Sequence, residues 1–163
     1  MIIKVIPAID YSVRRLCPKP YYNHPRGCPN FGRKKGCPPG APLFDQVYDI
    51  SQPVYAIINE FDIGSHIERM REKHPEWSEH QLKCVLYWQG GARKQLKGRC
   101  IEFLRSHPGY QIEMCPEAMG VNITETLRSV GIELEWPPVH IARQVALAGI
   151  RKKRKFFLNN SCI

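Results

Sequence analysis

Two short, nearly continuous apolar runs stand out along the chain. Residues 2–6 (IIKVI) read as a first strand, and residues 54–61 (VYAIINEF) as a second. The second run barely alternates, which predicts burial on both faces. Residues 110–114, 132–136 and 145–150 read as further strands. Capping residues mark helix starts: Ser65 with Glu68, Ser78 with Gln81, and Asn122 with Glu125, the last stopped by Gly131. After Ser78, Leu82, Val85, Leu86, Leu96, Cys100, Phe103 and Leu104 recur at helical spacing, interrupted by Gly90 and Gly91. That spacing predicts two helices or one kinked helix. Residues 43–50 read as a short helix. The alternation of strands and helices predicts one α/β layered domain over residues 1–150, with helices flanking a mostly parallel or mixed sheet.

Residues 7–42 break the pattern. They are rich in Pro, Gly, Cys and cations, without strand or helix periodicity. So long a loop inside a compact domain needs something to order it, and a bound metal is one such agent. No apolar run approaches the ~20 residues that span a bilayer. The opening MIIKVIPAID has no signal-peptide pattern, so the expected location is the cytoplasm. The chain of 163 residues carries a formal net charge of +9, which favours anionic partners, either small molecules or nucleic acid. Walker-type phosphate loops, dinucleotide fingerprints and Ser-centred nucleophile motifs are absent.

Seven cysteines in a chain without a secretion signal argue for metal ligands or reactive thiols rather than disulfides. Cys17, Cys28, Cys37 and Cys115 are each followed by proline, whereas Cys84, Cys100 and Cys162 are not. Proline holds the residue before it extended, so such a cysteine loses less freedom on binding. These four are the candidate metal or cofactor ligands. Cys84 and Cys100 read as small core residues, and Cys162 as incidental. Zinc sites usually pair their cysteines two to four residues apart, and the loop spacings here are much wider. Wide spacing suits a larger body, so a 4Fe-4S cluster is preferred and zinc is the alternative. His24 lies in the loop. His66, His74, His80, His107 and His140 read as structural or surface residues.

The segments GCPNFGRKKGCPPGAP and CPEAMGVNITETLRSVGIEL resemble a family of predicted metal-binding proteins of unknown function. That family carries a Cys-Pro-x-[Tyr/Phe]-Gly-x-x-x-x-Cys-Pro-Pro segment, matched here from Cys28 to Pro39. Later it carries a cysteine ahead of a helix start, matched by Cys115 and Met119 to Asn122. The resemblance covers roughly Cys17 to Gly131 and implies a metal or iron–sulfur site built from the early loop and Cys115. Many relatives add a second cysteine cluster that this chain lacks. The resemblance therefore implies at most one cluster and supplies no reaction.

Residues 11–44 contain no acidic residue. Arg14, Arg15, Lys19, Arg26, Arg33, Lys34 and Lys35 lie among Tyr11, Tyr21, Tyr22 and Phe31. The six candidate anion-binding residues are Arg14, Arg15, Arg26, Arg33, Lys34 and Lys35. They suit phosphate pairing and base stacking, or compensation of thiolate charge. Asp45 and Glu117 are the nearest candidates for a general base, although a carboxylate so placed more often serves a helix start. Two functions follow. One is an iron–sulfur enzyme acting on an anionic or nucleotide substrate, including sulfur transfer or desulfuration. The other is a non-catalytic, zinc- or cluster-stabilised nucleic-acid-binding module. Residues 151–163 form a basic tail that could reinforce binding to nucleic acid.

Overall fold

In the computed structural model, residues 1–20 and 24–153 are described. The element order is β1 (Ile2–Val5), a 3-10 helix (Tyr11–Leu16), α1 (Phe44–Val47), β2 (Val54–Asp62), α2 (Ile63–Lys73) and α3 (Glu79–Leu82). A 3-10 turn (Val85–Tyr87), α4 (Gln89–Ser106), β3 (Tyr110–Glu113), a 3-10 helix (Pro116–Met119), α5 (Ile123–Arg128) and β4 (Ile141–Ile150) follow. Among the described residues no helix is long and apolar enough to cross a membrane.

The strands form one four-stranded sheet in the order β1-β2-β4-β3, and every neighbouring pair is antiparallel. This corrects the expected parallel or mixed sheet. The reason lies in what fills the middle. β2 and β3 both run antiparallel to β4, so they are parallel to each other, joined by the crossover through α4. They do not touch, because β4 lies between them and pairs with both. The strand–helix–strand alternation was legible, but not that the last strand would divide it.

Burial on both faces of β2 is present. Val54, Ala56 and Ile58 join Leu147, Phe44, Val121 and Leu127 in one core. On the other face Ile57 meets Ala146 and Ala148 under Leu96, Cys100 and Phe103 of α4. Helix cover on both sides thus gives an antiparallel strand the continuous apolar run more usual in parallel sheets. Asn59 is the buried polar residue of the α4 face. Its amide donates to Ala92 O at 3.2 Å and Gln95 Oε1 at 3.1 Å, and it accepts from Arg99 Nε at 3.1 Å. Each hydrogen bond ties β2 to α4. Cys100 sits in this core, 4% exposed, as its apolar neighbours suggest.

The Ser78–Gln81 capping box and the Asn122 cap form as their sequences indicate. α2 starts earlier than Ser65 suggests, because Asp62 caps it by accepting from Ser65 N at 2.8 Å and Ser65 Oγ at 2.7 Å. Gly90 and Gly91 do not break a helix; they lie in the first turn of α4. Residues 132–136 are not a strand; they lead into the loop before β4. The start of the basic tail is docked, with Arg151 bridged to Tyr48 and Lys152 N donating to Val47 O at 2.9 Å. The rest of the tail, with Cys162, lies outside the described residues.

Phe103 is 1% exposed and stacks on His107, with ring centroids 4.0 Å apart. Phe103→Ala is expected to lower unfolding stability by ~3–5 kcal/mol, measured by equilibrium denaturation, through cavity formation under the sheet.

Candidate metal centre and an adjoining cavity

The long loop is ordered by its own hydrogen bonds and by contact with the segment that follows β3. Asp10 N donates to Gly120 O at 2.9 Å, and Asn122 N to Ala8 O at 2.8 Å. These bonds lay the 3-10 helix Tyr11–Leu16 beside the 3-10 helix Pro116–Met119. Gly120 makes the approach possible. Its φ is +85°, and a Cβ there would sit 2.7 Å from Tyr11 Cδ1. Cys17, at the end of the first 3-10 helix, is thereby brought towards Cys115, at the start of the other.

Within the loop, Cys28 N donates to Cys17 O at 2.7 Å. Gly27 sits against the same turn, where a Cβ would lie 2.6 Å from Pro18 C and O. Cys37 N donates to Lys34 O at 2.9 Å, and Gly32 N to Pro38 O at 2.9 Å, closing the turn of the RKKG run. Cys115 N donates to Glu113 Oε1 at 3.0 Å. All four cysteines are free thiols.

Their electrostatics place them in one neighbourhood. The Cys17 thiol is pushed above its ordinary value by burial first, then by Cys28, Cys37 and Glu117, while Arg14 opposes. The Cys115 thiol is pushed up by burial, then by Glu117, Glu113 and Cys37, while Lys34 opposes. The cations therefore act on the thiols, but burial and mutual repulsion outweigh them. Burial also pushes the Glu117 carboxyl up, and Glu113 adds to it. Cys115 and Glu117 are exposed to solvent, with much protein close around them. Among the described residues, no three His, Cys, Asp or Glu side chains converge closely enough to hold a metal ion.

The other candidates divide. Asp45 Oδ2 accepts the Tyr11 hydroxyl at 2.6 Å, fastening the 3-10 helix to α1. Arg14 donates to Pro39 O at 3.0 Å and Ala41 O at 2.7 Å, so it clamps the Pro-Pro turn. Arg15, Arg26, Arg33, Lys34 and Lys35 are exposed, and none forms a salt bridge among the described residues. Tyr21 and Tyr22 lie outside the described residues. Tyr11, Arg14, Arg15, Phe31, Pro38 and Pro39 line a shallow cavity of about 370 Å³. Of the histidines, His66 packs on Phe61, His74 on Trp77 and His107 on Phe103, and His140 bonds Glu135.

A larger cavity, of about 650 Å³, lies where the loop meets the start of α4. Cys28 and His24 contribute from the loop, Trp88, Gln89 and Arg93 from α4 and its cap, and Arg143 and Gln144 from β4. Residues 134–139 form the remaining wall. Sequence reasoning missed this site, since its residues come from four separated segments. The signals present were an uncapped α4 start without acidic residues and the stiff Trp136-Pro137-Pro138 run.

Glu135 holds that wall. Its carboxylate accepts from Val139 N and His140 N, each at 3.0 Å, and from Ile141 N at 3.2 Å. These bonds and the His140 ring hold its pKa down to about 2, from an ordinary 4.5. A depressed carboxyl stabilises the folded form fully above its unfolded pKa, and that contribution fades as pH falls through the folded value. Hydrogen exchange at the Val139, His140 and Ile141 amides is therefore expected to stay slow at neutral pH and to lose protection between about pH 4.5 and 2. In Glu135→Gln those amides should already exchange faster at pH 7.

Comparison with protein-family models, with curated proteins and with solved structures returns no match.

Proposed function

We propose that three of the four thiols Cys17, Cys28, Cys37 and Cys115 supply thiolates to a 4Fe-4S cluster, and that the protein is a cytoplasmic enzyme acting on an anionic, nucleotide-like substrate, with sulfur transfer or desulfuration as the reaction class. One observation carries this reading. Four proline-backed free thiols, from separate turns, meet in one electrostatic neighbourhood, and their wide spacing along the chain suits a larger body than a single ion. A zinc ion draws its ligands to within ~2.0–2.3 Å of one centre, whereas a cluster spreads its thiolates over a larger body. The motif resemblance points the same way.

Three of these thiols would hold the cluster, which would supply Lewis-acid chemistry towards a substrate sulfur or oxygen. The chain supplies the rest. The fourth thiol, left uncoordinated, is available as a nucleophile. Glu117 stands beside Cys17 and Cys115, and burial pushes its carboxyl up, the direction that suits a group passing a proton to a leaving group. Asp45 is less apt, because one carboxylate oxygen is already occupied by the Tyr11 hydroxyl. Arg15, Arg33, Lys34 and Lys35 attract an anion to the rim.

The exposed cations without acidic partners, beside Phe31 at 37% exposed, also favour a second reading. In it the metal only folds the loop, and the basic surface binds single-stranded nucleic acid.

Anaerobically reconstituted protein is expected to be brown and to hold about four iron and four sulfide per chain, lost in Cys28→Ala and Cys115→Ala. One zinc without sulfide, with affinity for single-stranded oligonucleotides, would instead establish the second reading. In the cluster-loaded enzyme, Glu117→Gln should retain iron and sulfide while turnover falls by about 10²–10⁴-fold, read from steady-state kinetics. Unchanged turnover would remove Glu117 from the proton-transfer role.

A further inference from the structure

Among the four proline-backed cysteines, one pair is joined directly through its main chain. Cys28 N donates to Cys17 O at 2.7 Å. A hydrogen bond between two residues' own backbones brings their Cα atoms to roughly 5–6 Å, inside the ~4.4–6.8 Å that a disulfide bridges. Gly27 fixes that approach. Its φ is +74°, and a Cβ there would lie 2.6 Å from Pro18 C and O and 2.8 Å from Cys17 O. The chain entering Cys28 is therefore pressed against the peptide leaving Cys17, in a conformation and at a distance that only glycine accepts.

The side chains agree with the backbone. After burial, Cys28 is the first neighbour whose charge acts on the Cys17 thiol. Both thiols are free and half-buried, so a small oxidant reaches them. The other two cysteines lack such a link. Cys37 N bonds Lys34 O, and Cys115 N bonds Glu113 Oε1. Among the described residues, no main-chain hydrogen bond joins either of them to another of the four.

We propose that Cys17 and Cys28 form a reversible disulfide when hydrogen peroxide reaches the metal-free loop, and that this bond closes the thiol site to its cluster. One thiolate attacks a peroxide oxygen and the O–O bond breaks, giving a sulfenic acid and water. The second thiol attacks the sulfenic sulfur, and the hydroxyl leaves as water with that thiol's proton. The two thiols lose two electrons and two protons, and the peroxide is reduced to water. A small dithiol reverses the bond by exchange.

The consequence follows from counting. Any three of Cys17, Cys28, Cys37 and Cys115 include Cys17 or Cys28, and the disulfide leaves only Cys37 and Cys115. A cluster that needs three thiolates is then excluded, whichever three hold it. The role as a switch rests on the cluster reading, whereas the bond rests on the loop geometry alone.

The test takes the full chain, reduced without oxygen and freed of metal by a chelator, and adds hydrogen peroxide. Remaining thiols are alkylated and the peptides mapped by mass spectrometry. A peptide linking Cys17 to Cys28 is expected as the main product, with Cys37 and Cys115 alkylated. Treatment in urea should spread the pairing over other cysteines. Cys37→Ser should keep the bond, and Gly27→Ala, which forces the two backbones apart, should lose the preference for this pair. The oxidised chain is expected to lose uptake of iron and sulfide, and dithiothreitol should restore it. Peroxide that links other cysteines in the folded chain, or leaves Cys17 and Cys28 open to alkylation, overturns the bond. An oxidised chain that carries the bond and still takes up iron and sulfide overturns the switch. If the bond forms but the reduced chain takes up no iron and sulfide, the cluster reading fails and the redox pair stands.

Discussion

The antiparallel pairing of β2 with β4 is the constraint on which the other elements depend. It runs from Tyr55 opposite Ala148 to Asp62 opposite Ile141. Alternate positions of that ladder feed the two cores, so each face is specified by the same register. A slip by one residue would exchange the faces, sending Ile57 towards Phe44 and Ile58 towards Phe103. The small residues Ala142, Ala146 and Ala148 let α4 and its neighbours lie close on one side. The larger Val145 and Leu147 fill the other.

The loop hangs from this frame at a defined place. β3 ends at Glu113, two residues before Cys115, and the segment from Pro116 to Asn122 receives the chain that leaves β1. A stretch without periodicity in sequence is thus held by backbone hydrogen bonds to a distant one. The Tyr11–Asp45 bond and the Arg14 contacts with the Pro-Pro turn close the loop on its other side. Folding itself thus does much of the gathering of the loop thiols.

The four strands of the sheet, the caps and the two-faced burial of β2 were legible because each leaves a local pattern, although residues 132–136 carry a strand-like run and form no strand. Sheet direction was not, because nothing in an apolar run records which strand lies beside it. The Leu96, Cys100 and Phe103 stripe identified the core face of α4, but Gly90 and Gly91 misled, since glycines in a first turn resemble glycines at a break. At the thiols, the Cys-Pro pairs marked the neighbourhood and Glu117 joined it, whereas Asp45 and Arg14 proved to have mechanical partners that no spacing reveals. The cavity by Trp88 was hidden because its walls meet only after the sheet has formed.

The position of β4 has a consequence for how the chain comes to be folded. β2 and β3 are joined by a crossover yet share no edge, and only residues 141–150 can occupy the gap. During synthesis, everything from β1 to α5 leaves the ribosome before the strand that unites it. A chain halted before Ile141 would keep one hairpin-like pair, β1 with β2, and a stranded β3, with both helix layers lacking a common floor. Closure is therefore a late, long-range event, and the molecule passes through a stage in which its most apolar edge awaits a partner not yet made.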